Sequence, residues 1–220
     1  MRKKQRAMGL LLLVPLILAG VYLSAKPAET AAVSAAPEKI ENRTGVLLVN
    51  AANPLPEGAE PEDLLNLYEQ KRHFLLARSD IYLTRETFEA ANRMFKQAED
   101  EDMNGFILTS GYRTREKQAE LYAEQQDGTA QPPGCSEHET GLAFDVTARS
   151  DGDFESTPQF QWLSEHCWEY GFILRYPKDK EEITGIAYEP WHYRYVGEEA
   201  AKIIRDKGWT LEEYCLEMSK

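Results

Sequence analysis

With 220 residues, 42% of them hydrophobic and 28% charged, the chain is long enough for one substantial core and has the balance of an ordinary globular protein. Its formal net charge of −12 argues against a nucleic-acid partner, because phosphate binding needs clustered lysine and arginine. The three cysteines, Cys135, Cys167 and Cys215, lack any CxxC spacing, so they allow at most one internal bridge and speak against a thiolate metal site.

The first residues, MRKKQR, are followed by 19 uncharged residues, 7–25. A basic segment before an apolar run is the signature of export. Residues 1–25 are therefore expected to be a signal peptide or an N-terminal membrane anchor, and in both cases the positive-inside rule leaves the rest of the chain outside the cytoplasm. Residues 26–45 are rich in Ala, Pro, Glu and Thr without an apolar period, which reads as a flexible stalk. The ordered domain is expected over 46–220.

That domain opens on the strand-like VLLVN and a short helical stretch, DLLNLYEQ. Phe88, Ala91, Met94, Phe95 and Ala98 recur at helical spacing behind Thr84, which is placed as an N-cap. Phe106, Ile107 and Leu108 suggest a buried strand, and a second helix is expected from Thr114. A strand over 142–146, a helix over 159–170 and strands over 171–174 and 191–196 follow. Helices over 198–207 and 211–218 close the chain. Helices and short strands mix without a βαβ rhythm or a Gly-rich phosphate loop, which points to an α+β fold.

Two of the four histidines stand in unremarkable surroundings. His73 in QKRHF reads as a solvated helix residue, and His166 in WLSEHCWEY as surface or interhelical packing. His138 and His192 lie close to carboxylates. In SEHETGLAFDV, Asp145 sits between Phe144 and Val146, where a strand would bury apolar side chains. A buried carboxylate needs a partner. One reading is a catalytic zinc site with His138, Asp145 and His192 as three ligands and one position left open. In the other, Asp145 pairs with Arg113 or Arg194. Cys135 offers a further, weaker ligand candidate against a free or bridged thiol.

Glu189 lies three residues before His192 in YEPWHYRYV, so strict strand alternation sets the two on opposite faces. It joins a site only if the chain bends at Pro190, and it would then serve as a general base; otherwise it is a surface glutamate. Arg113 in SGYRT stands where a strand gives way to a helix. There it is either a grip for a substrate carboxylate or oxyanion, or a helix-start surface charge.

SGYRTREKQ, SEHETGLAFDV and EPWHYRYVG, in this order, resemble the three signatures of the VanY-type D-alanyl-D-alanine carboxypeptidases, zinc peptidases that share their fold with the hedgehog signalling domain. The likeness runs from about Val46 to the last helices. It implies a small antiparallel sheet flanked by helices and one zinc ion on His138, Asp145 and His192. It also implies that Glu189 is the catalytic base, that Arg113 contacts substrate or transition state, and that Gln118 and Ser136 lie in the substrate pocket. Trp191 is expected to pack under the ligand strand. Arg175 and Tyr176 match without an assigned role. The implied partner is a peptidoglycan stem peptide met outside the cytoplasm, where trimming D-alanine termini also bears on glycopeptide resistance. L,D-carboxypeptidase or endopeptidase action on the same stems, or a zinc-containing wall-binding module without activity, are the alternatives. Oligomeric state is not legible.

Overall fold

Side chains that alternate along a strand fall on two faces of a sheet, and here the two faces have different work. The computed structural model describes residues 44–125, 130–150 and 152–220. The expected leader over 1–25 and stalk over 26–45 lie outside these residues, apart from Thr44 and Gly45. Among the described residues, no helix is long and apolar enough to cross a membrane.

In chain order the elements are β1 (Leu64–Asn66), β2 (Leu75–Leu76), β3 (Tyr82–Thr84), α1 (Arg85–Asp100), β4 (Phe106–Ser110) and α2 (Arg115–Glu124). They continue with β5 (Ala143–Ala148), α3 (Pro158–His166), β6 (Phe172–Leu174), α4 (Glu181–Thr184), β7 (His192–Tyr195), α5 (Glu198–Lys207) and α6 (Leu211–Met218). β1 and β3 form an antiparallel pair. The main sheet has the order β2-β4-β5-β7-β6, antiparallel except for β2 beside β4. The expected α+β architecture holds, with one short parallel edge strand added to the antiparallel sheet.

Helix α1 begins where its sequence signal lies: the Thr84 side chain accepts the Thr87 N–H. Its buried stripe, Phe88, Ala91, Met94, Phe95 and Ala98, covers one face of the sheet. Phe95 meets Phe106 and Phe144 at ring-centroid distances of 4.9 and 6.0 Å, and Phe144 stands opposite Tyr193 in the β5–β7 ladder. On the opposite face, beside β6, α5 and α6 build a second apolar cluster with Leu48, Ile173 and Val196.

Local expectations fail where side chains satisfy the backbone. VLLVN forms no strand; the Leu47 carbonyl accepts a guanidinium N–H of Arg194 instead of a ladder bond. In DLLNLYEQ, Leu64–Asn66 is a strand and only Leu67–Glu69 winds, as a single 3-10 turn, because the Asn66 side chain accepts the Tyr68 N–H. His73 lies outside any helix, its N–H held by Asn92 and its Nδ1 2.5 Å from Glu99. The expected helix over 159–170 is α3 followed by a 3-10 turn, Cys167–Tyr170.

Gly141 ends the turn that carries His138. It has φ +66°, and an added Cβ would come within 3.0–3.1 Å of Leu64 and Thr84 side chains. Both the conformation and the space call for glycine. Gly141→Ala is expected to destabilise the fold by about 1–3 kcal/mol, read from urea unfolding.

Candidate metal centre

A bulge between Leu108 and Ser110 sets Ser110 opposite Asp145, and Asp145 in turn faces His192. The three stand in a row across β4, β5 and β7, on the face away from α1. Phe144 and Val146 point into the core, so Asp145, between them, points out of it. That answers why an acid interrupts an apolar strand.

His138 reaches the same spot from the 3-10 turn Glu137–Thr140. Its Nδ1–H donates to the Gly111 carbonyl at 2.8 Å, leaving Nε2 to face Asp145 Oδ2 at 3.4 Å. His192 Nδ1 lies 3.1 Å from Asp145 Oδ1, and its Nε2 lies 3.3 Å from Glu137 Oε2. One ligand atom from each of His138, Asp145 and His192 lies within 4.8 Å of the others. Two ligands on a tetrahedral zinc ion, each about 2.1 Å from it, stand roughly 3.4 Å apart, so the donor set and its spacing fit zinc. Cys135 is not part of this group, and all three cysteines are buried and unbridged.

The bend at Pro190 is present. The His192 N–H donates to the Glu189 carbonyl at 3.2 Å, closing a turn with Pro190 at its second position. This brings Glu189 Oε2 to 3.8 Å from His192 Nδ1, with the glutamate side chain 25% exposed. Trp191, at the outer corner of that turn, is 43% exposed and does not pack under the ligand strand; its carbonyl accepts the Val146 N–H instead.

A cavity of about 140 Å³ joins these groups with Arg113, Gln118, Ser136 and Tyr176. Arg113 is tied to the ligand turn, its backbone N–H donating to the His138 carbonyl at 3.0 Å. Its guanidinium donates to Gln118 Oε1 at 2.8 Å, and Gln118 donates onward to the Gln131 carbonyl. Gln118 therefore aims Arg113 as well as lining the cavity. Asp145 bonds the two histidines rather than Arg113 or Arg194. A wider groove of about 630 Å³, lined by Arg78, Tyr82, Tyr112 and Lys117 among others, begins at Arg113.

Electrostatics separates the two acids of the site. Burial works against charge on Asp145, but His138 and His192 overcome it and hold the carboxyl well below the usual range. For Glu189 the balance is reversed: burial, with Asp145 and Glu137 adding to it, outweighs the pull of His192 and Arg113 and raises it. Burial also disfavours a charged His192, yet its hydrogen bonds to Asp145 and Glu137 prevail and its pKa is pushed up to about 9.

Sequence reasoning missed the layer behind His192. Glu137 Oε1 accepts from Arg175 Nε and from Arg194 Nη1, each at 2.7 Å. Arg175 also grips Glu212 of α6 in bidentate fashion, at 2.9 and 2.6 Å. Tyr176 lays its ring 5.0 Å from that of His192. The available signal was two arginines, in FILRYP and HYRYV, inside otherwise buried strand sequence.

A family model described as VanY, D-alanyl-D-alanine carboxypeptidase, matches residues 80–198. A D-alanyl-D-alanine carboxypeptidase of Enterococcus faecium is 40% identical over 172 residues, which cover 77% of this chain and 56% of that protein. The LdcB LD-carboxypeptidase structure superposes with a TM-score of 0.69 at 35% identity, covering 80% of this chain and 92% of its own. The vancomycin-resistance D,D-pentapeptidase VanY, solved as a variant with Zn(II), gives 0.63 at 36% identity, covering 76% and 97%.

In the metal-free protein, protonated His192 stabilises the fold fully below the ordinary histidine value of 6.5, and that contribution fades as pH rises through about 9. Zinc must displace this proton. Calorimetry at pH 7 in buffers of different ionisation enthalpy should show about one proton released from His192 per zinc bound; uptake of zinc without proton release would contradict the assignment.

Proposed function

The chain belongs to the VanY family of D-alanyl-D-alanine carboxypeptidases, and on that premise we propose that it is a zinc-dependent D,D-carboxypeptidase that hydrolyses the terminal D-alanine from peptidoglycan stem peptides. The observation that carries this reading is the Glu189 carboxylate, 3.8 Å from a nitrogen of the ligand histidine and sharing a cavity with Arg113. A wall-binding module that only kept the metal would have no use for that acid.

When bound, zinc polarises the scissile carbonyl and brings the pKa of water at the site to about 7. His138, Asp145 and His192 hold it, with His138 fixed by the Gly111 carbonyl. Glu189, its affinity for a proton raised by burial, takes the proton of the attacking water at its carboxylate and passes it to the departing amine. Arg113, aimed by Gln118, meets the negative charge that grows on the carbonyl oxygen or the carboxylate of the terminal residue. Ser136 and Gln118 line the pocket beside that residue.

The reaction is proposed to take place outside the cytoplasm, where stem peptides are found. The basic MRKKQR and the apolar run after it support export. Since the product lacks the terminal D-alanine, one chemistry serves both wall maturation and glycopeptide resistance.

Glu189→Ala should keep its zinc and lose about 10²–10⁴-fold in kcat. Turnover equal to the parent's would remove Glu189 from the mechanism. Incubation with stem peptides ending in D-Ala-D-Ala, with and without chelator, should release D-alanine only without it, as identified by mass spectrometry. Stems left intact while L,D-linked tetrapeptides are cut would assign the L,D activity instead.

A further inference from the structure

The metal ligands are anchored unequally. His138 leans on a backbone carbonyl, whereas His192 leans on a side chain, Glu137, which must itself be held. Glu137 is fully buried and its two oxygens are divided: Oε2 faces His192 Nε2, while Oε1 takes one guanidinium N–H from Arg175 and one from Arg194. Neither arginine side chain has any exposure. Arg175 is clamped at its far end by Glu212, which also accepts from Asn50 Nδ2 at 3.1 Å. Arg194 is clamped by the carbonyls of Leu47 and Tyr195. Two buried cations and two buried anions balance, and each guanidinium has a named acceptor.

We propose that Glu137 is a positioning residue for the metal centre. By accepting the Nε2–H of His192, it fixes the tautomer and ring orientation that turn Nδ1 toward Asp145 and the ion. The Arg175, Arg194 and Glu212 side chains hold Glu137 in place, so α6, at the far end of the chain, braces a metal ligand on β7. A carboxylate on the outer nitrogen of a ligating histidine both orients the ring and strengthens it as a donor. The unusual feature here is that the carboxylate is the immediate sequence neighbour of one ligand, His138, and serves the other, His192. The turn Glu137–Thr140 therefore sets both histidines at once.

The inference rests on the zinc reading of the triad, and its test separates the two. Zinc affinity of the full chain is measured by competition with a colorimetric chelator, alongside circular dichroism and thermal melting of the metal-free protein. Glu137→Met, folded, is expected to lose about 10–100-fold in zinc affinity. Glu137→Gln, which keeps an oxygen toward the imidazole N–H, should recover part of that loss. A folded Glu137→Met variant that binds zinc as tightly as the parent overturns the proposal. Should that variant fail to fold, the zinc-loaded parent decides: long-range proton–nitrogen spectra should place the His192 proton on Nε2, and a proton on Nδ1 overturns it. A parent that takes up no zinc would instead sink the triad reading itself.

Discussion

One carboxylate shared by two imidazoles organises this molecule. Asp145 stands on a central strand with His138 at one oxygen and His192 at the other, 3.4 and 3.1 Å away. A largely buried acid of this kind is tolerable only while both partners stay in reach, since an uncompensated charge in that position is strongly destabilising. The strand register, the bulge in β4 and the left-handed Gly141 all serve to deliver those partners. Fold and site are for this reason the same problem of charge placement.

The sheet solves it by dividing its faces. Phe144, Val146 and Tyr193 turn toward α1 and join the aromatic core around Phe95, which fixes where β5 and β7 lie. Asp145, His192 and Arg194 turn the other way. Because the side-chain period of a strand is two, a one-residue slip would send Asp145 into the core and Phe144 into the site. Apolar packing on one face thus enforces the register that the polar face needs. The bulge between Leu108 and Ser110 adds the one local shift that lets β4 run on to Gly111, whose carbonyl receives His138.

Electrostatics then separates acids of nearly equal intrinsic strength. Asp145 and Glu137 are each pressed by burial toward neutrality and held ionised by the cations around them: two histidines for the first, two arginines for the second. At Glu189, burial and the neighbouring Asp145 and Glu137 charges outweigh the pull of His192 and Arg113 and leave it more ready to hold a proton. Environments that drive carboxyl groups apart in this way let acids of one cavity rest in different protonation states. Arg113 supplies the only cation aimed into the cavity from the α2 side among the residues lining it.

Interactions between near neighbours were legible in the sequence. Thr84 and Thr114 cap the helices they precede, the stripe from Phe88 to Ala98 is buried as its spacing requires, and the short signatures around Arg113, His138 and Glu189 mark the family. The bend at Pro190 stood in the sequence only as a condition for Glu189 to join the site, and the structure supplies it. Only the tertiary structure decided what stands behind the ligands. Glu137 meets Arg175 and Arg194 across 38 and 57 positions, and Arg175 meets Glu212 across 37. No local period encodes such pairs, because their energy comes from mutual burial far along the chain. VLLVN and DLLNLYEQ misled for a related reason: distant or local side chains took over backbone hydrogen bonds that propensity alone assigns to a ladder or a helix.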